Sequence, residues 1–153
     1  MGFQDAVRVC LREKYITFSG RAPRSEFWYF MLFNLLVMLA FFVLVLVFGG
    51  FGSLVSGDTN ALFSGGIAII GVLFFLYWLA VILPSIAVVV RRFHDVNISG
   101  WWYLGCVVGG FIPYVGFLAT LAPYVIAVIK GTEGDNKYGP DPLVERHAAD
   151  VFA

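Results

Sequence analysis

Apolar residues arrive in three long runs, and the polar ones gather between and outside them. Phe27 to Phe48 and Ile67 to Val90 each hold more than twenty residues without one Asp, Glu, Lys or Arg. At helical rise each reaches about 33–36 Å, enough to cross a hydrocarbon core of about 30 Å. The third run, Trp101 to Ile129, is interrupted by Gly105, Gly109, Gly110, Pro113, Gly116 and Pro123. As one straight helix it would measure roughly 43 Å, too long for a modest tilt, and as two full spans it is too short. It reads either as one kinked span, the favoured option, or as a re-entrant pair of half-helices turning near Pro113.

Ahead of these runs, Phe3, Val7, Cys10, Leu11 and Tyr15 recur at helical spacing, with Asp5, Arg8 and Arg12 on the other side. The spacing predicts a short amphipathic helix lying at a membrane surface, against the alternative of a solvated tail. Pro23 suits a first helical position, Glu26 suits the opening turn, and Trp28 and Tyr29 suit the interface. The connection from Gly49 to Gly66 is rich in Gly and Ser and lacks Lys and Arg, as a translocated loop should. Pro84 is expected to kink the second span, and Arg91 and Arg92 to end it. The fold class is therefore all-α and integral to a membrane, with an interfacial N-terminal helix and three transmembrane helices over about 27–48, 67–90 and 101–129. One membrane domain covers 1–143, and 144–153 forms a weakly ordered tail.

Composition sharpens this picture. Of 153 residues, 60% are apolar, and no mixed-polarity stretch is long enough to bury a core of its own. The net charge is zero, yet Met1 to Glu26 holds five basic residues against three acidic ones, which favours a cytoplasmic N-terminus. Once those residues are set aside no basic stripe remains, which argues against nucleic-acid binding. Cys10 and Cys106 lie in different environments and read as free thiols.

Three segments carry a family resemblance. Gly20-Arg21-Ala22-Pro23-Arg24-Ser25-Glu26-Phe27-Trp28 opens the first span; Arg91-Arg92-Phe93-His94-Asp95 precedes Ser99-Gly100-Trp101-Trp102; and Gly134-Asp135-Asn136-Lys137-Tyr138-Gly139-Pro140-Asp141-Pro142 follows the third run. In this order they resemble domain-of-unknown-function family 805, small bacterial inner-membrane proteins, from about Tyr15 to Leu143. The resemblance implies an inner-membrane location and brings no reaction with it. The long Gly-rich connection between the first two spans is a departure from many relatives.

If the N-terminus and the second loop share the cytoplasmic face, Arg21, Arg24, Glu26, Arg91, Arg92, His94 and Asp95 lie at one depth. Arg21, Arg24, Arg91 and Arg92 form a candidate lipid or phosphate site, because a guanidinium forks onto phosphate oxygens through parallel N–H bonds. The competing readings are topogenic charge and a structural ion-pair network using Glu26 and Asp95. His94 and Asp95 are the candidates for catalysis, although adjacent residues do not readily form an oriented His–carboxylate pair. A plainer role has His94 bonding a helix C-terminus. No metal or cofactor motif occurs. The tail motif adds Asn136, Tyr138, Gly139, Pro140, Asp141 and Pro142. Only Asn34, Ser85 and Thr120 are polar within the spans, which argues against ion-coupled transport by this chain alone.

The sequence thus reads as a multi-pass inner-membrane protein, more plausibly non-enzymatic than an enzyme. Its leading function is binding of a protein partner or an anionic lipid headgroup through the polar cluster. The alternatives are a membrane-embedded enzyme on a phosphorylated or lipid substrate, centred on His94 and Asp95, and an accessory subunit of a transporter or channel. Expected partners are membrane lipids, a second copy or a membrane protein.

Overall fold

A computed structural model describes residues 1–50, 57 and 65–144. The expected loop at 49–66, beyond its first and last residues and Gly57, and the tail after Val144 lie outside that set. Five helices follow in order: α1 over Phe3–Arg8, extended by a π-helical turn at Val9–Glu13; α2 over Arg24–Val45, extended by another at Leu46–Gly50; α3 over Gly65–Asp95; α4 over Trp101–Gly109; and α5 over Val115–Val128. Among the described residues the only β pairing is an isolated bridge between Asn136 and Gly139. The chain forms two compact units, Met1–Phe30 with Leu83–Ala153, and Met31–Ile82.

The second unit consists of the apolar stretches of α2 and α3. Leu35, Leu39 and Phe42 on one helix and Val72, Phe75 and Leu79 on the other leave large apolar surfaces uncovered. Such surfaces are unfavourable in water and suited to lipid tails. Between the helices Tyr77 donates a 2.8 Å hydrogen bond to Asn34 Oδ1, and the Phe41 ring meets those of Phe74 and Tyr77. In hydrocarbon a polar group has few other partners, so such a bond contributes about 0.6–2 kcal/mol to helix pairing.

The first unit carries most of the polar residues. In α1 the predicted face holds: Cys10 is fully buried, Phe3, Val7, Leu11 and Tyr15 are partly covered, and Asp5, Arg8 and Arg12 are exposed. Phe3 meets the Tyr29 ring edge-on, which ties this helix to the start of α2. That start falls at Arg24, earlier than Phe27, and the Pro23 carbonyl accepts from the amides of Glu26 and Phe27. Pro23 therefore stands just outside the helix, where its missing N–H costs nothing. At the other end α3 does not stop at Arg91; it runs through Pro84 and both arginines to Asp95. Asn97, with a positive φ of 63°, then reverses the chain, a conformation that Asn tolerates better than most residues.

Among the described residues two helical segments are long and apolar enough to cross a membrane, Arg24–Phe48 and Gly66–Asp95, where the sequence predicts three. The third apolar run is divided into α4 and α5, which at helical rise measure about 14 and 21 Å, short of a bilayer core. Pro113 and Tyr114, with φ of 67°, break the helix between them. A Cβ added at Gly116 would stand 2.5 Å from the Gly110 carbonyl oxygen, and one at Gly109 would stand 3.2 Å from Ala119 Cβ. These two glycines let α4 and α5 close against each other. The run leaves the turn that follows Asp95 and returns to it, for the Thr132 amide donates to the Asp95 carbonyl at 2.8 Å. It is a helical hairpin, not one continuous helix.

Candidate functional site

Helix ends and the returning tail place the predicted polar residues together in the first unit. Asp95 is the hub. Its Oδ1 accepts from Arg21 Nε at 2.9 Å, and its Oδ2 accepts from Arg92 Nη1. Arg21 also donates to two tail carbonyls, Gly134 at 2.5 Å and Thr132. Arg92 donates to the carbonyl of Ile129, where α5 ends, and at 3.4 Å to that of Ala22. A second buried pair joins Arg91 Nη1 to Glu26 Oε1, and the Arg91 carbonyl accepts from the Ala22 amide at 3.1 Å.

Arg21, Arg91, Arg92, Glu26 and Asp95 are all buried. Three cations against two anions leave one excess positive charge, and Arg91 Nε and Nη2 and Arg92 Nε have no hydrogen-bond acceptor among the described residues. Backbone carbonyls supply part of the compensation. Removing one partner from such a network costs about 3–5 kcal/mol, because the other charge stays buried. Three of the four predicted phosphate-binding arginines therefore knit the N-terminal segment, α3 and the tail into one unit.

Arg24 differs from the others. It is exposed, and its one hydrogen bond among the described residues runs from Nε to the Ile129 carbonyl at 3.1 Å, leaving the two terminal nitrogens open. Beside it opens a cavity of about 290 Å³, whose lining includes Pro23, Arg24, Ser25, Lys130, Glu133, Asp141 and Pro142. Lys130 and Glu133 form an exposed ion pair there, and the lysine holds the Glu133 carboxyl below its usual range. The Asp141 carboxyl is also lowered, first by the Leu143 amide and further by that of Gly134, which it accepts at 2.9 and 3.0 Å.

His94 and Asp95 are not paired. Both Asp95 oxygens serve arginines, whereas His94 Nδ1 lies 3.3 Å from the Gly20 carbonyl, which is not a helix C-terminus. The imidazole stacks on the Tyr138 ring, centroids 3.9 Å apart and planes within 5°. Asn136 Nδ2 donates to the His94 carbonyl at 3.0 Å, while its Oδ1 accepts from the Tyr138 amide. Gly139, at φ 140°, closes the bridge back to Asn136 in a conformation that favours glycine. The tail motif is thus a folded clasp over the end of α3, with Pro140 and Pro142 bounding Asp141.

Some participants escape the sequence reading. Cys10 donates its thiol to Glu26 Oε1 at 3.8 Å. Burial and the Glu26 charge push that thiol up to about 12, against the opposing pull of Arg91. Its place on the apolar face of α1 was the available signal. Gly131 passes so close to Asp95 that an added Cβ would overlap the carboxylate. Ser25, Lys130 and the carbonyls of Ile129 and Thr132 had no sequence signal, since any residue can present a carbonyl.

Apolar helices with bare surfaces and a buried polar cluster in the first unit define the class of a small helical membrane protein, and the comparisons agree. Residues 15–140 match the family described as "Protein of unknown function (DUF805)", and the chain belongs to that family. It is similar to "Inner membrane protein YhaI" of Escherichia coli, 35% identical over 130 residues, covering 85% of this chain and 89% of the relative. It is likewise similar to "Inner membrane protein YhaH" of Escherichia coli, 35% identical over 133 residues, covering 87% and 93%. No solved structure matches.

Proposed function

We propose that this chain is a non-enzymatic, multi-pass inner-membrane protein whose polar end lies in the cytoplasmic headgroup layer and holds a lipid phosphate. The terminal nitrogens of Arg24, which have no hydrogen-bond partner among the described residues and stand at a headgroup-sized cavity, are the observation that carries the reading. The Ser25 hydroxyl and Lys130 line the same cavity and add donors for phosphate oxygens. Trp101 and Trp102, 78% and 68% exposed, follow directly after the polar end, as interfacial anchors do. The excess of basic residues before α2 favours the cytoplasmic side for that end.

In this arrangement α4 and α5 dip into one leaflet as a re-entrant hairpin, with Tyr114, 97% exposed, at the tip among lipid tails. Nothing in the geometry favours an enzyme centred on His94 and Asp95, since the carboxylate neither orients the ring nor faces the cavity unpaired.

Retained phospholipid on the full-length protein, counted by native mass spectrometry in detergent, tests the reading. Arg24→Gln should lose most of the lipid retained by the wild type while unfolding at nearly the same temperature. Full retention by Arg24→Gln would end the proposal.

A further inference from the structure

The cavity over Arg24 is not uniformly basic. Among the described residues its charged lining comprises Arg21, Arg24 and Lys130 against Asp95, Glu133 and Asp141, three of each sign. Arg21 shares Asp95 with Arg92 inside the buried network. The described lining charges outside that network are two cations, Arg24 and Lys130, and two carboxylates, Glu133 and Asp141. A ligand bearing only negative charge would meet both carboxylates there as well as the cations. A ligand bearing a phosphate and, a few bonds away, an ammonium group would find partners for both.

From this balance we infer that the cavity recognises a zwitterionic aminophospholipid headgroup, a phosphodiester with a primary amine. This rests on the reading of a lipid-phosphate site given above and names the headgroup that fills it. Arg24 and Ser25 take the phosphate, at the first turn of α2, where the helix dipole also favours negative charge. Asp141 and Glu133 take the ammonium through its N–H donors. The Lys130–Glu133 pair is the adaptable part. Both side chains are mostly exposed, 71% and 79%, and such a pair contributes little on its own. It opens at small cost, Lys130 turning to the phosphate and Glu133 to the amine. A cavity of about 290 Å³ stands at the small end of ligand pockets and suits a headgroup, with the acyl chains left outside. A quaternary amine of the same charge has no N–H to give the two carboxylates, so it is the discriminating competitor.

The full-length protein, stripped of lipid in detergent, is titrated by native mass spectrometry with short-chain phosphatidylethanolamine, phosphatidylcholine and phosphatidylglycerol, and with soluble phosphoethanolamine. Phosphatidylethanolamine should bind about tenfold tighter than either other lipid, as expected for charge-assisted hydrogen bonds that the competitors cannot make. Glu133→Gln should shrink its lead over phosphatidylcholine and raise the affinity for phosphatidylglycerol, because Lys130 is released; Glu133 is exposed, so the variant keeps the fold. Equal binding of the three lipids, or a lead for phosphatidylglycerol, with loss of all in Arg24→Gln, would overturn the amine assignment and leave the phosphate site standing. Lipid binding unaffected by Arg24→Gln would overturn both. Soluble phosphoethanolamine binding as tightly as the lipid would make a free phosphorylated amine the ligand and overturn the lipid source.

Discussion

Five charged side chains without solvent explain why this protein concentrates its polar residues in one unit. A buried guanidinium is tolerable only when carboxylates and carbonyls surround it, and Arg21 and Arg92 reach such partners on segments far apart in the chain. Cys10 is part of the same environment. Its thiol faces the Glu26 carboxylate and stays protonated up to about pH 12. The neutral form is favoured by folding, so this contribution is fully present below the ordinary thiol value of 9.0 and is lost as the pH rises through the folded value. In a Cys106→Ala background, alkylation of Cys10 by iodoacetamide at pH 8 should be about a thousandfold slower in the folded protein than in denaturant, on thiolate population alone. Equal rates would mean that the thiol is not held as the structure places it.

At the scale of elements, α3 ends where its charges find partners rather than where its apolar residues stop. The sequence marks Arg91 as the end of a hydrophobic run, and Arg91 and Arg92 continue the helix because Glu26 and Asp95 receive them. The same contacts fix the return of the chain after α5. Gly131 lets the backbone pass over the Asp95 carboxylate, and a methyl there would force Asp95 away from Arg21 and Arg92. Gly131→Ala should therefore lower stability by about 1–3 kcal/mol, the usual cost of overpacking. Gly105→Ala, whose methyl meets nothing within 4 Å, should stay neutral or gain slightly in helix propensity. Thermal unfolding in detergent compares the two. The tail motif was legible as a Gly- and Pro-rich turn, but its clasp on His94 was not, because the Asn136 bond spans 42 positions and the Tyr138 ring comes from the same distant segment.

For the whole molecule the question is which side each polar segment occupies. Within the first unit, the N-terminal segment, the turn after α3 and the tail are joined by the same arginines, and the proposed topology accordingly puts them on one side of the membrane. Compartment-specific reporters fused to the C-terminus and to a truncation after Gly100 should both report the cytoplasm. Reporters on opposite faces would show that 101–129 crosses the bilayer and would separate the tail from Arg21.

The sequence alone settled that this chain is helical and made for lipid, because uninterrupted apolar runs longer than a bilayer core have few other uses. It also brought the family into view, through three short polar motifs whose residues all lie in one polar unit. Tertiary structure decided what those motifs do. Burial made Arg21, Arg91 and Arg92 internal fasteners and left Arg24 exposed among these four arginines, since whether a charge can meet a ligand depends on which partners surround it in space. It also divided the third run into α4 and α5. Hydropathy measures only the preference for lipid, whereas the turn at Pro113 and Tyr114 and the close approach at Gly116 are contacts between helices that no single window of sequence contains.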